Sequence, residues 1–313
     1  MRYVAGRLLQ SLLTLILFMV AIFVATRAAG DPAQLLLPPD ATLEEVQAAR
    51  QRFGTDRPYL EQFASFVTDM ATLNFGRSVV HREQVTSLIG SRIGASVSLI
   101  LTAVLLVLLT AVPLGVLAAT HRARLPDRIV RAVAAFGQAA PGFWVGLMLI
   151  DLFAVRLHLL PAGGYPTDGS PAWPYYVLPA VTIALPLFAA LTRLLRSSLL
   201  ESLDAEFVKL ARAKGLSERR VVWVHVLRNA FLPAVTLMAI WIGTAVIGSV
   251  VAEVVFNWPG VGNLFLSSIL ARDFPVIQAV VALLGTTVLL ANLLADLLYT
   301  VLDPRIRVAA GNR

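Results

Sequence analysis

The chain has 313 residues, of which 58% are hydrophobic and only 14% are charged, whereas about a quarter of the residues of a soluble domain carry charge. Apolar runs long enough to cross a bilayer as a helix recur along the chain, so the composition predicts an all-α polytopic membrane protein and excludes an ordinary soluble domain. The absence of cysteine excludes disulfides and thiolate chemistry, and the net charge of +7 lies mainly in short loops between apolar runs, which favours a topology signal over nucleic-acid binding.

The first predicted element is a transmembrane helix within residues 1–29. Its apolar run, residues 8–29, follows the basic residues Arg2 and Arg7. The run is longer than the apolar core of a signal peptide, and no small-residue cleavage pattern follows it. We therefore expect a retained span with a cytoplasmic N-terminus rather than a cleaved signal.

Residues 30–94 are too charged to cross a bilayer and predict an external helical segment. Thr42 and Glu45 have the spacing of a capping box, and Gly54 is placed to end the helix that they begin. Pro58 suits the first turn of a second helix. The apolar face predicted for that helix comprises Leu60, Phe63, Val67 and Met70.

Residues 95–303 contain five further apolar runs and predict the core of the membrane domain. The runs cover residues 95–119, 132–157, 175–194, 230–252 and 276–298. The second of these runs is interrupted at Gly137, Pro141 and Gly142. Six spans result, followed by a basic tail at residues 304–313.

Basic residues concentrate in the loops that six spans place on the side of the N-terminus. The positive-inside rule then predicts that both termini are cytoplasmic, in a multi-pass protein of the plasma or inner membrane. Asp151 falls near the outer end of its span, which favours an interfacial position. Asp296 falls near the inner end of the last span, where pairing with an arginine or with a partner is favoured over proton relay.

Residues 201–233 form a charged, helix-forming island between two apolar runs. Asp204 is a candidate N-cap for a helix through Lys214, Gly215 is placed to end that helix, and Ser217 is placed to cap a second one. The pattern predicts two short helices that meet in an elbow, or an amphipathic connection that lies on the membrane surface. Residues that share one side of the first helix are Phe207, Leu210, Ala211 and Lys214.

The sequence LARAKGLSERRVVWVHVLRNAFLP in this island resembles the EAA loop of permeases of ATP-binding-cassette importers, in particular the B-type permease of dipeptide, oligopeptide and nickel importers. Lys209, Leu210 and Ala211 occupy the first three places of the motif and Gly215 its glycine, so Lys209 departs from the usual acidic residue. Further matches in family order are GDP at 30–32, DRP at 56–58, NFGRS at 74–78, APGFW at 140–144, FNWPGVG at 256–262 and DLLYTVLDPRIR at 296–307.

This resemblance implies a type I importer-permease architecture with a cytoplasmic coupling helix in the loop 198–229. It implies a second, C-type permease, two ATPase subunits that bind ATP and magnesium, and an external solute-binding protein. The solute would be a peptide, a nickel chelate or a similar small molecule. The chain has no G-x-x-x-x-G-K-[ST] sequence, so we expect a subunit that is not itself an enzyme and carries no cofactor.

Three groups of site residues follow from the resemblance. The ATPase-docking group comprises Asp204, Glu206, Phe207, Leu210, Ala211, Arg212, Ala213, Lys214 and Gly215. Asn257, Trp258, Pro259, Gly260 and Gly262 form either a plain external turn or a re-entrant segment near the gate. Asp56, Arg57 and Pro58 are a contact for the binding protein or a simple helix start.

Two other classes of function have less support in the sequence than the importer. A self-sufficient, proton-coupled secondary transporter needs a carboxylate near the bilayer midplane, and neither Asp151 nor Asp296 is well placed for this role. A membrane enzyme needs a set of catalytic residues on one surface, and the sequence offers none. The four histidines are widely spaced, so no metal site is expected.

Overall fold

The computed structural model describes residues 2–28, 37, 41–166 and 171–302, and their regular structure is helical apart from one isolated bridge between Arg77 and Gln84. The early helices are α1 (Arg2–Ala28), α2 (Leu43–Phe53), α3 (Tyr59–Ala71), α4 (Val85–Thr120), α5 (Leu125–Ala139) and α6 (Gly142–Leu149). The later helices are α7 (Trp173–Leu203), α8 (Glu206–Ala213), α9 (Glu218–Arg220), α10 (Leu227–Val255), α11 (Val261–Leu270) and α12 (Phe274–Leu302). Two π-helical stretches, Ile150–Arg156 and Val221–Val226, follow α6 and precede α10.

Within the described residues, five helices are long and apolar enough to cross a membrane. A sixth span results if α5 and the helix Gly142–Arg156 are one broken span, although the two are bent by 113°. The predicted all-α polytopic fold is confirmed. The helical content satisfies the backbone hydrogen bonds internally, as a bilayer requires.

The bend between α5 and α6 is much sharper than the interrupted span that the sequence predicted. Ala140 and Pro141 both have extended backbone, with ψ of 131° and 133°. Proline lacks an amide hydrogen and disfavours helical geometry in the preceding residue, so the two positions together end α5. The helix also begins at Leu125, earlier than the predicted residue 132.

The other long helices extend beyond the apolar runs that predicted them. Helix α4 begins at Val85, ten residues before the expected start, so residues 85–94 belong to this long helix, although the sequence assigned them to the external helical segment. Helix α7 continues through Arg193 and Arg196 to Leu203. Hydropathy marks only the part of a helix that suits hydrocarbon, and charged residues with good helix propensity continue it into water.

The described chain divides into two compact units. One contains Met1–Ser96 and Pro259–Leu290, and the other contains Val97–Trp258 and Ala291–Arg313. In the first unit, Phe23 of α1 packs edge-on against Phe63 of α3 with ring centroids 5.4 Å apart. A second cluster joins α4, α11 and α12 through Val85, Leu88, Ile89, Val261, Leu264, Val276, Ala279 and Val280.

The predicted capping box of α2 is confirmed. The Thr42 amide donates to Glu45 Oε2 at 2.8 Å, and the Glu45 amide donates to Thr42 Oγ1 at 3.3 Å. These bonds from Thr42 lower the pKa of Glu45, because they stabilise its ionised form. Gly54, with φ of +65°, ends α2 as expected.

The apolar face of α3 is only partly as predicted. Phe63, Val67 and Met70 pack against a buried cluster, but Leu60 is 80% exposed. Phe66, which the sequence pattern did not select, is the buried member of this face. Leu60 is the second residue of α3, whereas the residues that pack against the cluster lie further along the helix.

The first unit also contains a buried carboxylate held by a tight turn. Asp273 accepts hydrogen bonds from Ser78 Oγ at 2.5 Å and from the amides of Val79 and Val80 at 3.3 and 3.2 Å. Ser78 Oγ in turn accepts from the His81 amide at 2.8 Å. The NFGRS sequence therefore leads into a turn that is fixed to the start of α12 by one acidic side chain.

In the second unit, α7 is the most buried of the helices that are long and apolar enough to cross a membrane. Leu187, Leu191, Leu195 and Leu199 are almost completely buried and recur every four residues along it. Side chains at this spacing form one stripe on a helix. The stripe is the centre of the packing of this unit.

Replacement of Asp273 by asparagine should loosen the turn at residues 78–81, because the side-chain amide keeps only one acceptor oxygen and no charge, whereas both carboxylate oxygens accept hydrogen bonds here. A hydrogen bond to a charged group is worth about 2 kcal/mol, so amide exchange at Val79 and Val80 should accelerate at least about tenfold. Hydrogen-exchange mass spectrometry of the purified protein measures this change. Asp56→Asn, at an exposed position, should leave these amides unchanged, and equal acceleration in both variants would contradict the assignment.

Candidate functional site: the elbow and the loops around it

The predicted elbow exists, but its first helix begins one residue later than expected. Asp204 closes the end of α7, and Ala205, in extended conformation with φ of −74° and ψ of 151°, is the residue that precedes α8. The N-cap role predicted for Asp204 is therefore wrong. Alanine has no side-chain acceptor, so α8 starts without the capping bond that the sequence suggested.

Gly215 ends the first arm of the elbow as predicted. Its φ is +78°, in the left-handed region that favours glycine. The Gly215 amide donates to the Arg212 carbonyl at 2.9 Å, and the Leu216 amide donates to the Ala211 carbonyl at 3.3 Å. The chain therefore reverses sharply just after α8.

The second arm of the elbow is continuous with the following long helix. Ser217 precedes α9 with extended backbone, and within the described structure its hydroxyl makes no capping bond. The helix then passes through the π-helical stretch Val221–Val226 into α10. Helix α8 is thus joined to α10 through the turn at Gly215 and then through continuous helix, and to α7 through two residues, Asp204 and Ala205.

An ion pair braces the elbow across its turn. Arg212 Nε donates to Glu218 Oε1 at 2.7 Å, and Arg212 Nη2 donates to Glu218 Oε2 at 3.2 Å. The hydrogen bonds from Arg212 lower the pKa of Glu218 and those to Glu218 raise the pKa of Arg212. A lowered carboxyl pKa means that the pair contributes fully above the ordinary glutamate pKa and is lost as the pH falls through the lowered value.

The side chains of α8 divide into a buried and an exposed set. Val208 and Ala211 are buried, whereas Phe207 is 39% exposed and Leu210 is 57% exposed. Ala211 therefore does not share the exposed side with Phe207 and Leu210, contrary to the predicted face. Two large apolar side chains, Phe207 and Leu210, therefore remain at the surface of this helix among charged neighbours.

Lys209, which stands where the family motif has an acidic residue, forms a local ion pair. Its Nζ lies 2.7 Å from Glu206 Oε1, one helical turn earlier, and both side chains are mostly exposed. Such surface pairs contribute little to stability. Ala213 and Lys214 lie exposed at the end of α8.

The predicted gate residues fall on both sides of the boundary between the units, which lies between Trp258 and Pro259. In the second unit, Asn257 has φ of +48° and the Trp258 ring contacts Tyr165 and Tyr176, with centroids 5.1 and 4.5 Å away. Tyr176 Oη and Ser98 Oγ share a hydrogen bond of 2.9 Å. Trp258 is thus a fully buried anchor rather than an exposed turn residue.

A neighbouring loop of the second unit is fixed to the same region. The Gly164 amide donates to the Phe256 carbonyl at 2.7 Å, and a Cβ at Gly163 would collide with that carbonyl oxygen. Only glycine permits this close approach of two backbones. The loop before α7 is therefore attached to the end of α10.

In the first unit, the remainder of the predicted gate forms the start of a helix. Gly260 directly precedes α11, Gly262 lies in its first turn, and the Val261 amide donates to Ser96 Oγ at 2.9 Å. The expected turn-rich loop between residues 253 and 275 therefore contains a ten-residue helix. The apolar sequence VGNLFLSSIL was too short to be recognised as a separate element.

Asp56, Arg57 and Pro58 lie consecutively on the surface of the first unit, and all three are exposed. Pro58 directly precedes α3 instead of lying in its first turn, one residue from the predicted position. The Arg57 carbonyl accepts from Gln62 Nε2 at 2.6 Å, which fixes the backbone of this turn. Helix start and surface exposure are thus both present.

Sequence reasoning missed a buried ion pair in the second unit. Asp127 is completely buried, and Arg196 donates to its two oxygens from Nε at 2.6 Å and from Nη2 at 2.9 Å. The Ala123 amide adds a hydrogen bond at 2.9 Å, and Arg131 Nε lies 3.4 Å from Oδ1. Its only sequence signal is one acidic residue within the basic loop HRARLPDRIVR.

Asp151 and Asp296 are the two acidic residues that a proton-coupled transporter could have used. Asp151 pairs with Arg156 at 2.8 Å and is partly exposed, so it is a local ion-pair partner. The side chain of Asp296 lies outside the described part of the structure. Its predicted pairing stays a prediction.

Comparison with known proteins identifies this arrangement. Residues 111–308 match the family model of the binding-protein-dependent transport system inner membrane component. The chain belongs to this family. It is also 37% identical to the glutathione transport system permease protein GsiC of Escherichia coli (strain K12), over 98% of this chain and 99% of that protein. The proteins of the same name from Salmonella typhi and Shigella dysenteriae serotype 1 (strain Sd197) are 38% and 37% identical over the same shares.

Family membership confirms the resemblance to ABC-importer permeases, in the B-type branch of the peptide family. The chain is a multi-pass membrane permease subunit, in a family of permeases rather than enzymes. Such a component works in general with a partner permease, an ATPase and a binding protein. Membership of this family replaces the alternative interpretation of the chain as a self-sufficient secondary transporter.

Removal of Arg196 should destabilise the second unit strongly, because Asp127 would remain buried without its bidentate partner. Breaking a buried pair costs about 3 kcal/mol or more, so Arg196→Met should lower the apparent melting temperature by several degrees. Thermal unfolding in detergent measures the effect. Arg193→Met, on the exposed side of the same helix, is the control.

The double variant Asp127→Leu/Arg196→Met should recover much of the loss, because neither charge then remains buried alone. A double variant no more stable than Arg196→Met alone would contradict an ion pair as the cause.

Proposed function

We propose that this chain forms half of the transmembrane pathway of an ATP-driven importer of di- or oligopeptides or similar small solutes. In this function the elbow built by α8 and α9 receives the movement of an ATPase subunit and passes it to α7 and α10. The observation that carries the proposal is the braced elbow, inserted between two long apolar helices in a chain of this family. Alternating access then follows from displacement of these helices.

The exposed side of α8 fits a docking role. Phe207 and Leu210 present apolar surface among charged neighbours, and buried apolar anchors surrounded by polar residues dominate protein interfaces. The ATPase-docking surface that we propose thus centres on Phe207 and Leu210. Glu206, Arg212, Ala213 and Lys214 surround it, whereas Ala211 supports it from the buried side.

The brace at Arg212 and Glu218 gives the elbow the stiffness that coupling requires. A flexible loop would absorb the motion of the ATPase, whereas two helices joined by a fixed turn transmit it. Gly215 supplies the sharp reversal and the bidentate pair resists its opening. Both features lie next to the proposed docking surface.

The peptide class of the solute is supported by the relatives. Proteins that match this chain over almost its whole length are named glutathione permeases, and glutathione is a tripeptide. The pathway itself need not select the solute, since an external binding protein can deliver it. A nickel chelate remains the other solute class of this branch.

We further propose the partners and the orientation. The complex contains this chain, a different C-type permease, two ATPase subunits that hold ATP and magnesium, and an external solute-binding protein. Both termini and the elbow face the cytoplasm, as the distribution of basic residues favours. Asp56, Arg57 and Pro58 contact the binding protein, and the segment from Asn257 to Gly262 lies near the external gate.

Leu210→Asp should weaken ATPase docking without affecting the fold, because the side chain is already exposed. Loss of an apolar anchor costs about 1.4–3 kcal/mol, so binding of the ATPase should fall at least about tenfold and uptake should fall with it. Co-purification of the complex and ATP-dependent uptake in liposomes measure both. Leu159→Asp, at an even more exposed leucine outside the elbow, is the matched control.

Normal assembly and full uptake with Leu210→Asp would contradict the docking role of α8. A clearly lower melting temperature of Leu210→Asp would also contradict it, since the loss of uptake would then have a structural cause.

Purification of the chain with its native partners should recover a second permease, two ATPases and a binding protein that carries a peptide. In liposomes that contain the whole complex, unlabelled dipeptides and glutathione should compete with uptake of a labelled peptide. Mass spectrometry of the ligand released from the binding protein checks the solute class. Release of a nickel chelate instead would overturn the peptide proposal while leaving the importer in place.

A further inference from the structure

The first unit contains a polar cavity whose lining residues, apart from Arg57, have no part in the proposed transport function. It has a volume of about 310 Å³ and lies between the last turns of α1, the end of α2, one side of α3 and the start of α12. Charged and amide side chains line most of it, including Arg27, Arg57, Asp69 and Gln278. A volume of this order is sufficient for a small ligand or a headgroup.

An apolar cavity adjoins the polar one. It has a volume of about 470 Å³ and is lined by residues such as Ile22, Ala25, Ile277 and Val281. Gln278 borders both cavities. Helix α1 contributes Ile22 and Thr26 to the apolar cavity. The residues that follow them, Phe23 and Arg27, line the polar cavity. The two cavities therefore form a composite site with a polar and an apolar half.

Charges of both signs line the polar half. The Arg27 guanidinium lies 5.3 Å from the centre of the Phe23 ring, which positions it by a cation–π contact. Among the described residues, neither Arg57 nor Asp69 takes part in an ion pair, although both line the same cavity. Opposite charges that share a cavity without pairing are complementary to a zwitterion.

The position of the site along α1 matches the boundary of a bilayer. The apolar span of α1, Leu9–Ala28, has 20 residues, which is about 30 Å of helix and the thickness of the hydrocarbon layer. Arg27 thus lies at the level of the headgroups. The span of α12 begins at Phe274, four residues before Gln278, at the same end.

Helix α1 is also open to lipid, since only 11% of the residues in its most apolar stretch are buried. The two halves of the site therefore lie side by side at the same level of α1, near the boundary between the hydrocarbon layer and the headgroups. A water-soluble zwitterion would have no use for the apolar half. This distinction favours a lipid over a free peptide or a free headgroup.

We propose that the composite site binds one phospholipid with a zwitterionic headgroup that carries a primary ammonium, such as phosphatidylethanolamine. Arg27 and Arg57 bind the phosphate, Asp69 accepts hydrogen bonds from the ammonium, and one acyl chain occupies the apolar half. Guanidinium groups suit phosphate because they donate in a planar fork. The bound lipid fills the space between α1 and α12 and stabilises the seating of α1.

Native mass spectrometry of the purified, delipidated protein tests this assignment. Titration with phosphatidylethanolamine should give one tightly bound lipid, retained about tenfold better than phosphatidylcholine, whose quaternary ammonium cannot donate hydrogen bonds. Asp69→Asn should abolish this preference, and Arg57→Gln should weaken the binding of both lipids. Glu61→Gln and Arg82→Gln, at exposed positions outside the site, are the matched controls.

Each outcome decides the proposal. Loss of the preference with Asp69→Asn and its retention with Glu61→Gln, at unchanged melting temperature, support it. Equal binding of both lipids by the unaltered protein overturns it. Equally tight binding of soluble glycerophosphoethanolamine, or displacement of the lipid by a dipeptide, also overturns it, because the ligand would then be water-soluble.

Discussion

A bilayer tolerates neither unpaired charges nor unsatisfied backbone groups, and the rest of this fold depends on that constraint. Apolar runs are forced into helices, and charged residues are forced into the connections or into pairs. Asp127 illustrates the second solution, because its buried carboxylate is matched by Arg196 and a backbone amide. The elbow illustrates the placement of charged residues in a connection, because residues excluded from hydrocarbon are concentrated there, where they can contact another protein.

The elbow and the buried pair belong to the same unit and share α7. Helix α7 contributes Arg196 to the ion pair, and only two residues separate its end from the start of α8. Its leucine stripe holds the packing of this unit, so a load on α8 acts on a helix that is already well anchored. The exposed apolar residues of α8 and the rigid packing of α7 are therefore two parts of one device, the first for contact and the second for transmission.

Local chemistry was predictable from sequence, and long-range chemistry was not. The capping box at Thr42 and the helix ends at Gly54 and Gly215 depend on residues close in sequence, so their patterns were sufficient. The pairing of Asp127 with Arg196 joins residues 69 apart, and no periodicity reveals it. Helix α11 was missed because a ten-residue apolar stretch resembles a loop, and the choice of Phe66 over Leu60 depends on where α1 lies.

The π-helical stretch Val221–Val226 alters the phase of everything that follows it. The Leu227 amide donates to the Val222 carbonyl, five residues back instead of four, so the stretch accommodates more residues per turn than an α-helix. One additional residue rotates the subsequent side chains by about 100° around the helix axis. A helical wheel drawn continuously from the elbow into α10 would therefore assign its lipid-facing and protein-facing sides incorrectly.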